Sequence, residues 1–152
     1  LVAGRIAEGF AEYEHRFGTR LYAGMSRVGP GRLWRGEPLA GKRILVWPEQ
    51  GLGDTLQFVR YVPALKALGA DVVIEAQPPL VRLLATSFAV EVMPPGVPVV
   101  ADFHCPLMSL PRRCGTDTSS ITPNANGGAA AASFDLGGPG GNGTARKLQR
   151  AA

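Results

Sequence analysis

Cysteine and histidine are scarce in this sequence, with two of each in 152 residues: Cys105, Cys114, His15 and His104. Two cysteines without a secretion signal argue against a disulfide scaffold. The spacing of these four residues offers no zinc ligand set. His104 and Cys105 are neighbours in an extended segment, so we expect their side chains on opposite faces and no catalytic dyad between them.

Long apolar runs and clustered charge are also lacking. No apolar run approaches the roughly 20 residues of a membrane-spanning helix. The net charge of +4 is scattered, without a basic cluster interleaved with aromatic residues, so nucleic acid is not an expected partner. The start of the sequence, at Leu1, does not resemble a signal peptide. We therefore expect a cytoplasmic protein, and the absence of an initial methionine suggests a fragment or an incomplete gene model.

The most informative stretch runs from residue 43 to residue 60. An apolar segment, Ile44 to Trp47, is followed by a Gly51-Leu-Gly53-Asp54 turn and then by apolar residues at helical spacing. This pattern predicts a buried strand, a glycine turn and a helix, the opening unit of a parallel α/β sheet. Asp54 stands where a helix N-cap belongs. The apolar fraction and the length suit one such domain.

Two interpretations of this turn are open. In the first, Asp54 is only a helix cap and the glycines only form a tight turn. In the second, the turn belongs to a ligand cleft at the carboxyl end of the strand, with backbone N–H groups of Gly51 and Gly53 open to a ligand. A dinucleotide-binding fingerprint fits poorly, because Leu56 occupies the position of its third glycine.

Further strands and helices follow the same alternation. We predict a strand over 71–76, a helix over 80–86, a strand over 90–93 and another over 99–103. Pro63 should interrupt the first helix. Because crossovers are right-handed, Gln77 should lie at the same sheet edge as Asp54, with His104 close by. The predicted fold class is therefore α/β, a Rossmann-like parallel sheet with flanking helices.

The sequence divides into four parts. Residues 1–17 predict an amphipathic helix, and residues 18–42 a connecting segment that Trp34 anchors to the core. Residues 43–118 form the Rossmann-like domain. Residues 119–152 are rich in glycine, alanine, serine and asparagine, so we expect a disordered tail, with a reading frame that departs from its relatives near residues 118–124.

Three segments in this order resemble a known family. They begin with Glu49-Gln-Gly-Leu-Gly-Asp-Thr, Glu75-Ala-Gln-Pro-Pro and Asp102-Phe-His-Cys-Pro. Together they resemble the glycosyltransferase-like domain that follows tetratricopeptide repeats in many bacterial proteins, a relative of the heptosyltransferases and of O-linked N-acetylglucosamine transferases. Residues 9–17 look like the helix that joins the repeats to that domain.

The resemblance implies the acceptor-side half of a GT-B transferase. Such an enzyme transfers a sugar from a nucleotide-sugar to an acceptor hydroxyl of a glycan or protein. We expect no metal or other cofactor, since no second carboxylate stands near enough in sequence to suggest a DxD-type site. Asp54 matches the family's proposed general base. We expect the remaining pocket residues to bind substrate: Glu49, Gln50, Gly51, Gly53, Gln77 and His104. The donor-binding half is missing, so this chain is not expected to be active alone.

Two other interpretations are left open. One is a non-catalytic module that binds protein or glycan and is associated with tetratricopeptide repeats. The other is an inert truncated product. Turnover of a nucleotide-sugar by a complete parent protein would separate the enzyme from the other two.

Overall fold

Five parallel strands form a single sheet with helices beside it. The structure, a computed structural model, describes residues 4–20 and 31–117. In chain order the strands are β1 (Arg32–Leu33), β2 (Arg43–Trp47), β3 (Asp71–Glu75), β4 (Glu91–Met93) and β5 (Phe103–Pro106). The α-helices are α1 (Ile6–Tyr13), α2 (Leu52–Phe58), α3 (Val62–Ala67), α4 (Pro78–Phe88) and α5 (Leu110–Arg113), and 3-10 turns cover Glu14–Gly18, Val59–Tyr61 and Leu107–Ser109.

The strand order is β1-β5-β2-β3-β4, and every neighbouring pair is parallel. The chain moves from β2 outward through β3 to β4, then crosses back to place β5 on the other side of β2. The order therefore reverses between β2 and β5. These strands and their flanking helices confirm the predicted α/β class.

The larger core lies on one side of the sheet, which we call the helical face. Ile44 and Val46 of β2 point to this side, with Phe103 of β5 in register beside Ile44. Their packing partners include Phe58, Leu65, Leu80, Leu84 and Leu110 from α2 to α5. Right-handed connections put successive helices on one side of a parallel sheet, which explains this arrangement.

The opposite side, the second face, carries a smaller cluster. Leu45, Trp47, Val73 and Met93 are buried there, with Val99 and Ala101 packed against them. Val99 and Ala101 belong to the segment that returns from β4 to β5. This connection reverses direction across the sheet, so right-handedness places it on the second face.

Several local predictions are confirmed. Trp34 is fully buried in the helical-face core and donates its Nε1–H to the Glu37 carbonyl at 2.8 Å. A 3-10 turn separates α2 from α3, and Pro63 lies in the first turn of α3. His104 lies on the second face and Cys105 on the helical face, as expected for neighbours in a strand.

Other boundaries differ from prediction. Asp54 is not the N-cap of α2: Gly51 is, because its carbonyl accepts the Thr55 N–H at 3.2 Å and closes the first turn. The fourth predicted strand, 99–103, instead runs from Phe103 to Pro106, since Val99 belongs to the return segment. The amphipathic helix ends earlier than expected, at Tyr13, and continues as a 3-10 turn.

The expected disordered tail, residues 119–152, lies outside the described residues. Within residues 4–20 and 31–117, no helix combines the length and apolar character that a bilayer crossing needs.

Candidate functional site

A cavity of about 680 Å³ lies at the carboxyl ends of β1, β2 and β5. Its floor consists of four side chains from the second face of the sheet: Leu33, Trp47, His104 and Pro106. The α1 segment and its 3-10 turn form one wall, and the chain beyond β1 and β5 forms the rest. The wall residues are Ala11, Glu12, Glu14, His15, Phe17, Arg35, Ser109, Arg112 and Arg113.

This position follows from the sheet topology. Strand order reverses between β2 and β5, and the cavity lies beyond the carboxyl ends of these two strands. Open α/β sheets bind ligands at such a reversal point. Trp47 and Pro106, which are paired in register, lie at this point and line the cavity.

Trp47 and His104 hold each other in place on the floor. The Trp47 Nε1–H donates to His104 Nδ1 at 3.3 Å, and both residues are buried. An indole nitrogen can only donate, so His104 Nδ1 is the acceptor in this contact.

A buried ion network attaches the α1 segment to the sheet. The Arg16 guanidinium makes a bidentate pair with Glu49, with Nε 2.8 Å from Oε1 and Nη2 2.9 Å from Oε2. It also lies 4.1 Å from the centroid of the Phe17 ring. Only 4% of the Arg16 side chain and none of the Glu49 side chain is exposed. This pairing is well suited to a buried site, since the planar guanidinium matches a carboxylate.

Glu14 and Arg113 complete the network. Glu14 Oε1 accepts from Arg16 Nη1 at 3.0 Å and from the Ser109 hydroxyl at 2.7 Å, and Oε2 accepts from Arg113 Nη2 at 2.9 Å. Burial lowers the pKa of Arg16, but the hydrogen bonds and attraction of Glu49 and Glu14 outweigh it and leave that pKa raised. The network thus holds two cations and two anions.

Six of the predicted site residues meet at the β2–α2 turn. The Gln77 side chain makes two hydrogen bonds to this turn. Its Oε1 accepts from Thr55 Oγ1 at 2.9 Å, and its Nε2 donates to the Gln50 carbonyl at 2.9 Å. Asp54 is half-buried in the first turn of α2. The six residues are Glu49, Gln50, Gly51, Gly53, Asp54 and Gln77.

The seventh predicted residue, His104, lies apart from them and lines the cavity. Glu49 is held by Arg16 and by the Met108 N–H at 3.2 Å. A binding role for the residues of the turn stays a prediction.

Sequence reasoning missed most of the cavity wall. Glu14 and Arg113 are 99 positions apart, so no local sequence pattern predicts their contact. The one available signal was the Arg112–Arg113 pair soon after β5, at the sheet edge where sites form. Trp47 was recognised only as a strand residue.

Neither cysteine takes part in the cavity. Cys105 and Cys114 are buried free thiols. Burial raises the pKa of Cys105 well above its usual value and that of Cys114 to about 12. Among the described residues, no three histidine, cysteine or carboxylate side chains are grouped to hold a metal.

Comparison with known proteins gives one named relative. Protein FlbA of Caulobacter vibrioides is 42% identical over 72 residues, which are 47% of this chain and 12% of FlbA. No family model matches the chain, and no solved structure matches it. The matched stretch is thus a small part of its relative.

These findings overturn the expected family. The named relative is FlbA, and no family model supports a glycosyltransferase or a tetratricopeptide-repeat protein, so that assignment is wrong. The predicted sugar transfer and the repeat-linked interaction module rested on it and are wrong with it. The physical reason is that the motif residues Glu49 and Gln77 have structural contacts within this fold, Glu49 with Arg16 and Gln77 with Thr55, and such contacts do not specify a chemistry.

Proposed function

We propose that this chain is a small-molecule-binding domain and that the cavity at the carboxyl ends of β1, β2 and β5 is its binding site. The observation that supports the proposal most is the position of the cavity at the point where strand order reverses. Open α/β sheets bind ligands in the crevice beyond the carboxyl ends of their strands, where strand order reverses.

The size and lining of the cavity support the same function. Its volume of about 680 Å³ lies within the range of about 300–1,000 Å³ typical of ligand pockets. Phe17, Leu33 and Trp47 supply apolar area for a ring or a short carbon chain. The hydrogen bond between Trp47 and His104 fixes both rings in advance, which lowers the entropy cost of binding.

Tryptophan fluorescence gives a direct test. The chain has two tryptophans, of which Trp47 lines the cavity while Trp34 is fully buried elsewhere. Titration with benzyl alcohol, benzoate, phenyl phosphate and glucose should give a saturable change in emission for at least one compound. The Trp47→Phe variant should lose this signal, because only Trp34 remains.

A matched calorimetric titration of the wild type should show the same dissociation constant as the fluorescence. The proposal fails if none of the four compounds binds at millimolar concentration, or if the emission change persists in Trp47→Phe.

We also propose a cytoplasmic location. Two cysteines present as free thiols support it, because reducing compartments keep thiols unpaired.

A further inference from the structure

We infer that the ligand of this cavity is an anion, a carboxylate or phosphate ester carried on a ring or short apolar body. This inference rests on the proposed function, because it concerns the same cavity. It follows from the charges and hydrogen-bond donors of the wall, considered in turn.

The buried ion network contributes no net charge to the cavity. Arg16 and Arg113 face Glu14 and Glu49, and each carboxylate accepts from at least one guanidinium. The charged wall residues outside the network are Arg35, Arg112 and Glu12. Two guanidinium groups against one carboxylate leave the wall positively charged.

Three guanidinium groups of the wall, those of Arg35, Arg112 and Arg113, also have unused or weakly used donors. The Arg35 guanidinium has no hydrogen-bond or ion-pair partner among the described residues, since only its backbone N–H is engaged, by Glu37. Arg112 makes one long contact, from Nη1 to the Ala11 carbonyl at 3.4 Å. Arg113 Nε is buried with no partner in the described part of the chain. A ligand that fills this wall must therefore bring acceptor oxygens.

The floor determines the rest of the ligand. Trp47 and Leu33 present apolar surface below the arginines. An anionic group on an aromatic or short aliphatic body matches both the arginine wall and the apolar floor. A free inorganic ion would leave the apolar floor in contact with water. Carboxylate and phosphate share the oxygen geometry that a guanidinium recognises, so both belong to the inferred class.

A matched set of three probes tests the inference. Benzyl alcohol is the neutral probe, and benzoate and phenyl phosphate carry the two anionic groups on the same ring. Titrations of the full chain, by calorimetry and Trp47 fluorescence, should show at least tenfold tighter binding of one anionic probe than of benzyl alcohol. The tighter anionic probe identifies which of the two groups the site prefers.

Arginine variants localise the effect. Arg35→Gln and Arg112→Gln should each weaken binding of the anionic probe about fivefold or more and leave benzyl alcohol unaffected. Arg82→Gln is the control: Arg82 is an exposed residue of α4 outside the cavity wall, and its loss changes the net charge equally. It should leave all affinities unchanged.

The outcomes separate the two proposals. Equal affinity for neutral and anionic probes, or no effect of either arginine variant, overturns the anionic ligand but leaves the binding function standing. If no probe binds the wild type, both proposals fail. A loss of anion binding in Arg82→Gln as large as in the wall variants would show a general charge effect and also overturn the inference.

Discussion

Arg16 is the residue on which the position of the α1 segment depends. It lies in the 3-10 turn after α1, yet five hydrogen bonds join its guanidinium to Glu49, Glu14, Ser109 and the Tyr13 carbonyl. A buried pair of this kind contributes little net stability, because desolvation offsets the attraction. Removing one partner is different, since it leaves the buried network with one uncompensated charge.

We expect Glu49→Gln to lower the free energy of unfolding by about 3 kcal/mol or more, because Arg16 and Arg113 would then share the single carboxylate of Glu14 in a buried position. Urea unfolding at neutral pH measures this loss. The double variant Arg16→Met with Glu49→Leu should recover most of it, since no unpaired charge remains. A single variant as stable as the wild type would contradict this account of the pair.

Two glycines should respond oppositely to alanine. Gly31 has φ +72°, and a Cβ there would lie 2.2 Å from the Asp102 carbonyl oxygen, so Gly31→Ala should cost about 1–3 kcal/mol. Gly53 lies within α2 with open space around it, so Gly53→Ala should stabilise by about 0.5–1 kcal/mol. Thermal unfolding of both variants checks the pair, and destabilisation by Gly53→Ala would show that the turn needs glycine there.

At the scale of elements, the sequence predicted the strands with continuous apolar runs best. β2 and β3 are buried on both faces, so Ile44 to Trp47 and Val72 to Ile74 leave no ambiguity. β1 escaped prediction because Arg32 and Leu33 show no pattern of their own. They join the sheet only because β5, 71 positions further on, offers them a parallel edge. Such long-range pairing cannot be read from local sequence.

The same limit explains the incomplete view of the site. His104 was predicted mainly from a motif of the expected family, at the end of a predicted strand. Arg35, Arg112 and Glu12 come from three segments that only the fold brings together. Local patterns identified the sheet edge but not which helix covers it.

The return segment before β5 should make stability sensitive to acid. Asp102 accepts the Arg43 N–H at 2.9 Å and pairs with Lys42 at 3.4 Å, which lowers its pKa. Asp102 therefore binds its proton more weakly in the native state than in the unfolded chain. The stability that its ionised carboxylate contributes is fully present above the unfolded pKa of about 3.9 and is lost as pH falls through the native pKa.

Asp102→Asn should therefore reduce the loss of stability between pH 6 and about pH 3, as followed by urea unfolding at each pH. Glu8→Gln serves as control, because Glu8 makes only an exposed ion pair with Arg5. Identical acid profiles of the Asp102 variant and the wild type would be inconsistent with this role.

At the scale of the whole molecule, the reactivity of the two thiols measures unfolding of the described fold. Cys105 and Cys114 are at most 2% exposed, and their pKa values are raised, so the reactive thiolate is rare in the native state. At pH 8, a disulfide reagent that releases a coloured thiolate should react with neither cysteine at an appreciable rate. In denaturant it should react with two per chain.

Cys114→Ala should leave one thiol that is equally slow, because Cys105 is enclosed by the helical-face core independently of Cys114. Rapid labelling of either residue in the folded wild type would mean that this core opens locally.

The two outermost strands of the sheet have a consequence for behaviour at high concentration. β1 has two residues and β4 has three, and Arg32 and Glu91 place a charge at each border. A foreign strand would find only a few main-chain groups to bind there, and it would meet charge as well. Lateral growth into fibrils through these borders is therefore disfavoured, although the sheet interior is rich in valine and isoleucine.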